Sequence, residues 1–303
     1  MDFLLNFFNI ELHLFRQNNI LSENNSFSAK IQGSYNMKFG KLFLTLCKHF
    51  PAPHWQMQLQ QYNKISSKVP ELADEVWHLM NDNRKFMKKH SHAYKIVSLG
   101  ADCMPRTYPT VYMLKPCRAA GEKSMPFDLA RTPPQGLARF LENDFADYIN
   151  DKWQYDYENG RWLNDPATGV RYSHDRDCGP DQLAELHQRV RRRIDNFREM
   201  LKFPGLVFFI LHKRLEGNIQ DIERACAALR KMRKDLPTKI VVIANDQAEE
   251  PAVLKNAEYF LLKHPIKATD WFEPEVRFTP EGVRYEMQVV TLIRQLLQKE
   301  LGF

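Results

Sequence analysis

Residues 206–211 read LVFFIL, six apolar residues in a row, and residues 239–243 read KIVVI. Short runs this uniformly apolar are strands buried on both faces, because a half-buried strand alternates with polar residues. Around them the periodicity changes from strand to helix. In DQLAELHQRVRRRIDNFREMLK, residues Leu183, Leu186, Val190, Ile194, Phe197 and Leu201 step by three and four, the spacing of an amphipathic helix. Ile219, Ile222, Cys226 and Leu229 mark a second helix, and Val289, Ile293, Leu296 and Leu297 a C-terminal one. Residues 95–99 and 258–262 (EYFLL) supply two further candidate strands. Strands alternating with helices predict an α/β fold with a mostly parallel sheet flanked by helices. Short βα connections make 95–99, 206–211 and 239–243 neighbours in that sheet.

The front of the chain is helical in pattern. Pro70 suits the first turn of a helix that continues through Leu72, Val76, Met80 and Met87 to the basic end Lys88-Lys89-His90. The opening MDFLLNFFNIELHLF is apolar but broken by Asp2, Asn6, Asn9, Glu11 and His13. It falls short of the roughly 20 apolar residues that a membrane helix needs. It also lacks the basic start and small-residue cleavage site of a signal peptide. Residues 1–36 read either as an extension with little role in the fold or as an amphipathic helix docked on the body. The expected organisation is 1–36 as this N-terminal extension, 37–93 as a helical region, and 94–303 as an α/β domain carrying the chemistry. Between 104 and 180 many turn formers stand, including Pro105, Pro109, Pro116, Pro126, Pro133 and Pro134. Asn159-Gly160 reads as a hairpin turn between short strands.

With 44% hydrophobic residues in 303, the chain carries enough apolar material for a sizeable core. A net charge of +6 is mild, well below the clustered positive charge of a dedicated nucleic-acid binder. The five cysteines, Cys47, Cys103, Cys117, Cys178 and Cys226, form no C-x-x-C pair. Free thiols in a reducing compartment fit this usage, so a cytoplasmic location is expected. No cofactor or metal is expected, since the chain shows no phosphate-binding glycine loop and no H-E-x-x-H.

The chemistry centres on YKIVSLGADC at 94–103. A strand stops at Gly100 and delivers Cys103 where the chain turns into a helix. The first N–H groups of a helix favour a thiolate; Arg106, one turn on, pushes the same way, and Asp102 pushes against it. A thiol nucleophile needs an imidazole to take its proton and a polar group to orient that imidazole. Of the ten histidines, His174 in RYSHDRD is the first choice, after the short β-like segment 169–172. His212, at the end of LVFFIL, is the second, because sites in parallel sheets collect at the C-terminal ends of strands.

SLGADC at 98–103, MPFDLARTPPQGLARFLENDFADY at 125–148 and YSHD at 172–175 follow one another in an order and spacing that resemble a bacterial family of unknown function described as papain-like cysteine peptidases. The resemblance spans about residues 95–215. It implies Cys103 as nucleophile and His174 as base. It also implies Pro126, Phe127 and Asp128 as site-forming, and Asn143, Asp144 and Phe145 as structural or site-adjacent. Leu129 stands where the family usually shows Trp. Papain-like enzymes set the cysteine on a helix against a largely antiparallel sheet, whereas the rear half of this chain alternates β and α. A hydrolase of the kind that uses a GDS serine motif, with Cys103 in the serine's place, suits that layout equally.

The expected catalytic set is Cys103, His174 and Asp128, with Asp175 and Asn164 as rivals to Asp128 for the third place. Asp128 alternatively caps a turn or the helix after it. Arg106, Pro126, Phe127, Asp175 and His212 are the expected binding residues. Two further classes compete with a thiol hydrolase or acyltransferase. One is a glycan- or protein-binding member of the same fold using Trp153, Tyr155, Tyr157 and Trp162. The other is anion or nucleic-acid binding through Arg189, Arg191, Arg192 and Arg193. Val190, Ile194 and Phe197 claim the inner face of that helix for the core, so a solvated arginine face is the favoured account and nucleic acid is not an expected partner.

Overall fold

The computed structural model describes residues 53–303 apart from 151, 157–161, 173, 176, 177, 179–181, 215, 216, 247 and 265–272. The expected extension at 1–36, the start of the helical region and Cys47 lie outside the described residues.

Four parallel strands make the main sheet: β1 (Tyr94–Ser98), β5 (Leu206–Lys213), β6 (Thr238–Ala244) and β7 (Glu258–Leu261), adjacent in that order. The three strands expected to be neighbours are neighbours, and the fourth candidate extends the sheet at β7. Helices α1 (Pro53–Lys68), α2 (Ala73–His90), α3 (Met104–Val111), α4 (Pro134–Glu142), α5 (Leu183–Leu201), α6 (Ile219–Arg233), α7 (Pro274–Arg277) and α8 (Pro280–Leu301) complete the main elements. A 3-10 turn, Pro70–Leu72, precedes α2, so Pro70 opens a helical turn as its position suggested.

The uniform apolar runs have a simple cause. Successive strand residues point to opposite faces, and both faces here are covered. Val97, Val207, Phe209, Leu211, Ile240 and Val242 join one core with Leu137 of α4, Phe197 of α5 and Ile222 of α6. The alternate residues Ile96, Phe208, Ile210, Val241 and Ile243 join a second core with Val76 of α2, Tyr108 of α3 and Val289 of α8. Every residue of β5 is buried. Burying one Phe or Ile side chain contributes about 1.5–3 kcal/mol, so the central strand is the main anchor of both layers.

A second, antiparallel sheet comprises β2 (Gln154–Asp156), β3 (Trp162–Asp165) and β4 (Val170–Tyr172). Paired backbone bonds between Arg131 and Arg171 tie it to the segment before α4. The hairpin turn at Asn159-Gly160 lies outside the described residues.

Helices α3 and α4 lie in the stretch that its prolines marked as turns. Pro105 and Pro134 occupy first-turn positions, where a missing N–H costs nothing, but Pro109 sits inside α3. That helix lasts only 8 residues. The chain then covers the outer side of β1, which is an edge strand. Lys115, 2% exposed, donates through Nζ to the Ile96 carbonyl at 3.1 Å and pairs with Glu122 at 3.1 Å. The Tyr94 hydroxyl donates to the Leu114 carbonyl at 2.7 Å.

Candidate active site

Cys103 sits at the C-terminal end of β1, as the N-cap residue of α3. Two consecutive left-handed residues make the turn, Gly100 at φ 86° and Ala101 at φ 62°. A Cβ on Gly100 would lie 3.1 Å from the Thr132 Cβ, so glycine is required there both by conformation and by space. The Ala101 N–H donates to the Thr132 carbonyl at 3.1 Å, which fixes the turn against the segment before α4. The Cys103 thiol is partly exposed. Its pKa is raised, first by burial and then by the Asp102 charge, against smaller opposing pulls from Thr107 and Arg106. The thiol is therefore held in its protonated form, and the depressed pKa expected of a preformed thiolate is not seen. Burial outweighs what the helix and Arg106 offer.

The second choice among the histidines is the one that this turn engages. His212 is on β5, fully buried, and its Nδ1 lies 2.7 Å from the Asp102 Oδ2. Asp102 also accepts through Oδ1 from the Met104 N–H at 2.9 Å, and Arg214 Nη1 lies 3.9 Å from its Oδ2. The neighbour that opposed the thiolate thus binds the imidazole. An Nδ1 facing a carboxylate at this distance carries a proton, so in the neutral ring Nε2 is the acceptor. Nε2 is buried with no partner in the protein.

Other expected residues fall into two groups. Asp128 is fully buried and accepts through Oδ2 from the Met125 N–H at 2.9 Å, which is the turn-capping use. Arg106 Nε stands 3.5 Å from the same oxygen, linking the turn to α3. Phe127 is core, ringed by Phe145, Tyr148 and Phe197. The Pro126 carbonyl accepts from the Tyr148 hydroxyl at 3.0 Å. Asn143 bonds Asp147, Asp144 pairs with Arg198, and Phe145 joins the core, so this segment is structural.

His174 is exposed after β4. Its neighbour Asp175 is buried and takes both ends of the Arg193 guanidinium, at 2.6 and 2.8 Å. Arg189 lies 3.8 Å from Asp175 and 2.6 Å from Glu185. Two of the four arginines proposed for anion binding are therefore engaged by carboxylates, while Arg191 and Arg192 are exposed. Of the aromatic patch, Trp153 is buried against Tyr172 and His187. The side chains of Tyr155, Tyr157 and Trp162 lie outside the described residues. Asn164 lies in β3 opposite Arg171. Cys117, Cys178 and Cys226 are buried, and burial pushes the Cys226 thiol up to about 12.

Two residues after strands, Asn245 and His264, and one on α8, Tyr285, gave no other sequence signal. Asn245 follows β6 directly, 1% exposed, with both amide ends lacking a hydrogen bond. His264 follows β7; its N–H donates to the Asn245 carbonyl at 2.8 Å and its ring packs edge-on against Tyr285 of α8 at 4.5 Å. The separate groove of about 410 Å³ lined by Lys95, Lys123, Asn196, Glu199 and Phe203 is remote from this edge along the strands, and its Lys123 and Glu199 pair with each other at 2.7 Å. Among the described residues no three His, Cys, Asp or Glu side chains gather as a metal site, and no helix is long and apolar enough to cross a membrane. Compared with known proteins, the chain matches no family model, no curated protein and no solved structure.

Proposed function

We propose that the protein is a cysteine-dependent hydrolase or acyltransferase, with Cys103 as nucleophile and His212, oriented by Asp102, as its proton acceptor. One observation carries this reading: a fully buried imidazole whose Nδ1 is fixed by the residue next to the cysteine, leaving Nε2 unpartnered. Acyl transfer needs an oriented base that serves the nucleophile, and here the carboxylate that orients the base is the cysteine's chain neighbour. Because the thiol is protonated at rest, the proton leaves as sulfur attacks the acyl carbon. It passes to Nε2 and from there to the departing alcohol or amine. Water or a second nucleophile then cleaves the thioester, giving up its own proton to Nε2, and the thiol is restored. Arg106, paired with Asp128, supports the turn beyond the cysteine.

The test uses the full chain with acyl thioesters, aryl esters and anilides, and mass spectrometry for an acyl adduct on Cys103. Cys103→Ser abolishes turnover, His212→Gln lowers it by about 10²–10⁴, and His174→Ala leaves it within a few-fold. Asp102→Asn serves as a second variant if His212→Gln does not fold. Turnover that survives both His212→Gln and Asp102→Asn in folded protein, or no adduct on Cys103 with any of the acyl donors, would overturn the assignment.

A further inference from the structure

Beyond the Asp102–His212 pair, the same sheet edge holds two more buried polar side chains with no hydrogen-bond partner among the described residues. Asn245 presents one donor and one acceptor, each buried and unpartnered. Its main chain is pinned by the His264 N–H. The Tyr285 hydroxyl is likewise buried and unpartnered, on a ring held by His264. The Asn245 amide lies near enough to that hydroxyl to temper the rise that burial imposes on the phenol, but the two do not meet hydrogen-bond geometry. Asp102 is also within electrostatic reach of the Tyr285 hydroxyl. His212 pairs in register with Ile243 and Lys213 with Ala244, the residue before Asn245, so Asn245 lies at the same end of the sheet as the Asp102–His212 pair. Asn245 and Tyr285 are buried, as is His212; Cys103 and Arg214 are partly exposed. Buried polar groups are bonded as a rule, and those that the protein leaves open are matched by something else.

We propose that Asn245 and Tyr285 form a recognition subsite for a neutral carboxamide, fixing the substrate class of the site described above. This inference rests on the thiol-hydrolase reading for its place in a reaction, but not for the binding itself. The chemistry selects the group. A carboxylate offers acceptors only and sets one of them against the Asn245 Oδ1; an ammonium offers donors only and fails at Nδ2. A carboxamide supplies a C=O for Nδ2 and an N–H for Oδ1 together. The Tyr285 hydroxyl adapts to either end. His264 is a positioning residue, through its N–H to Asn245 and its ring on Tyr285.

The experiment titrates the full chain with butyramide and, in parallel, butyrate, followed by saturation-transfer NMR. Both are repeated on Cys103→Ala, which has no nucleophile. The amide binds both proteins, and the acid binds at least about tenfold more weakly, the discrimination that one misplaced hydrogen bond gives. Asn245→Asp, which replaces the donor with an acceptor, weakens amide binding by about tenfold, and Tyr285→Phe by a few-fold. Binding retained in Cys103→Ala keeps the subsite standing even if Cys103 proves not to be a nucleophile. Equal binding of amide and acid, no binding of the amide, or full amide binding by Asn245→Asp at an unchanged melting temperature overturns the proposal. If Asn245→Asp does not fold, the amide–acid comparison on the unaltered chain and the Tyr285→Phe titration decide it.

Discussion

The protonation of Cys103 is a balance of burial, backbone and neighbouring side chains, and the two charges among them can be moved separately. Burial and Asp102 raise its pKa; Thr107 and Arg106 lower it. Alkylation by iodoacetamide follows the thiolate, so its rate is low at neutral pH and inflects above the free-thiol range near about 8.5. Asp102→Asn removes the opposing charge, lowers that inflection and speeds labelling at pH 8; Arg106→Gln does the reverse. Peptide-mapped labelling rates between pH 6 and 10 check both directions, and unchanged rates in Asp102→Asn would refute the charge assignment. The stability linkage has a fixed sign. A thiol that keeps its proton more tightly when folded contributes its full stability below the unfolded value of about 8.5, and loses that contribution as pH rises above it. Gly100 makes the geometry possible. With φ 86° and Thr132 against its Cα, no other residue delivers Asp102 to His212 and Cys103 to the head of α3 without strain.

At the level of elements, α5 owes its docking to ionic contacts as well as to its apolar face. Arg193 is 8% exposed and Asp175 5%, and both guanidinium ends are bonded. Removing one partner of a buried pair strands the other charge, at about 3–5 kcal/mol. The Arg198–Asp144 pair on the same helix has side chains 43% and 63% exposed, and exposed pairs contribute about 0–1 kcal/mol. Asp175→Ala should therefore destabilise the protein several-fold more than Arg198→Ala in urea unfolding; equal losses would contradict this ordering. The same contrast explains what was legible in the sequence. The apolar stripe of α5 announced a helix, yet the arginines between its stripe residues looked like one solvated face. Arg193 turns inward because Asp175, 18 residues earlier, comes to meet it. His174, beside that aspartate, stands out in the sequence both by its place after a short β-like segment and by the family pattern.

Across the whole molecule, the sheet was legible because both of its faces are dry. Phe208 and Phe209 serve opposite cores, so neither position tolerated a polar residue and the run stood out. The short helices α3 and α4 were not legible, because proline at a first turn and proline in a loop are the same letter. The Asp102–His212 contact spans 110 residues of chain and is made by adjacent strands. Sequence spacing gave no pointer to it; only the general habit of parallel sheets to gather chemistry at strand ends named His212 as a candidate. Asn245 and Tyr285 lie farther still along the chain from Asp102, and no motif joins them to it.

Lys115 sets how this protein behaves at high concentration. The outer rim of a terminal strand is a template onto which another chain can add, and sheets guard such rims with charge or cover. Here one ammonium occupies the Ile96 carbonyl and draws Glu122 over it. Lys115→Met keeps the length of the side chain but withdraws that guard. The variant should scatter light and form larger species in a concentration-dependent way, measurable by dynamic light scattering, while the unaltered chain at equal concentration does not. The consequence expected of that loss reaches beyond stability: with the cation gone, the rim is open for copies of this fold to recruit one another edge to edge.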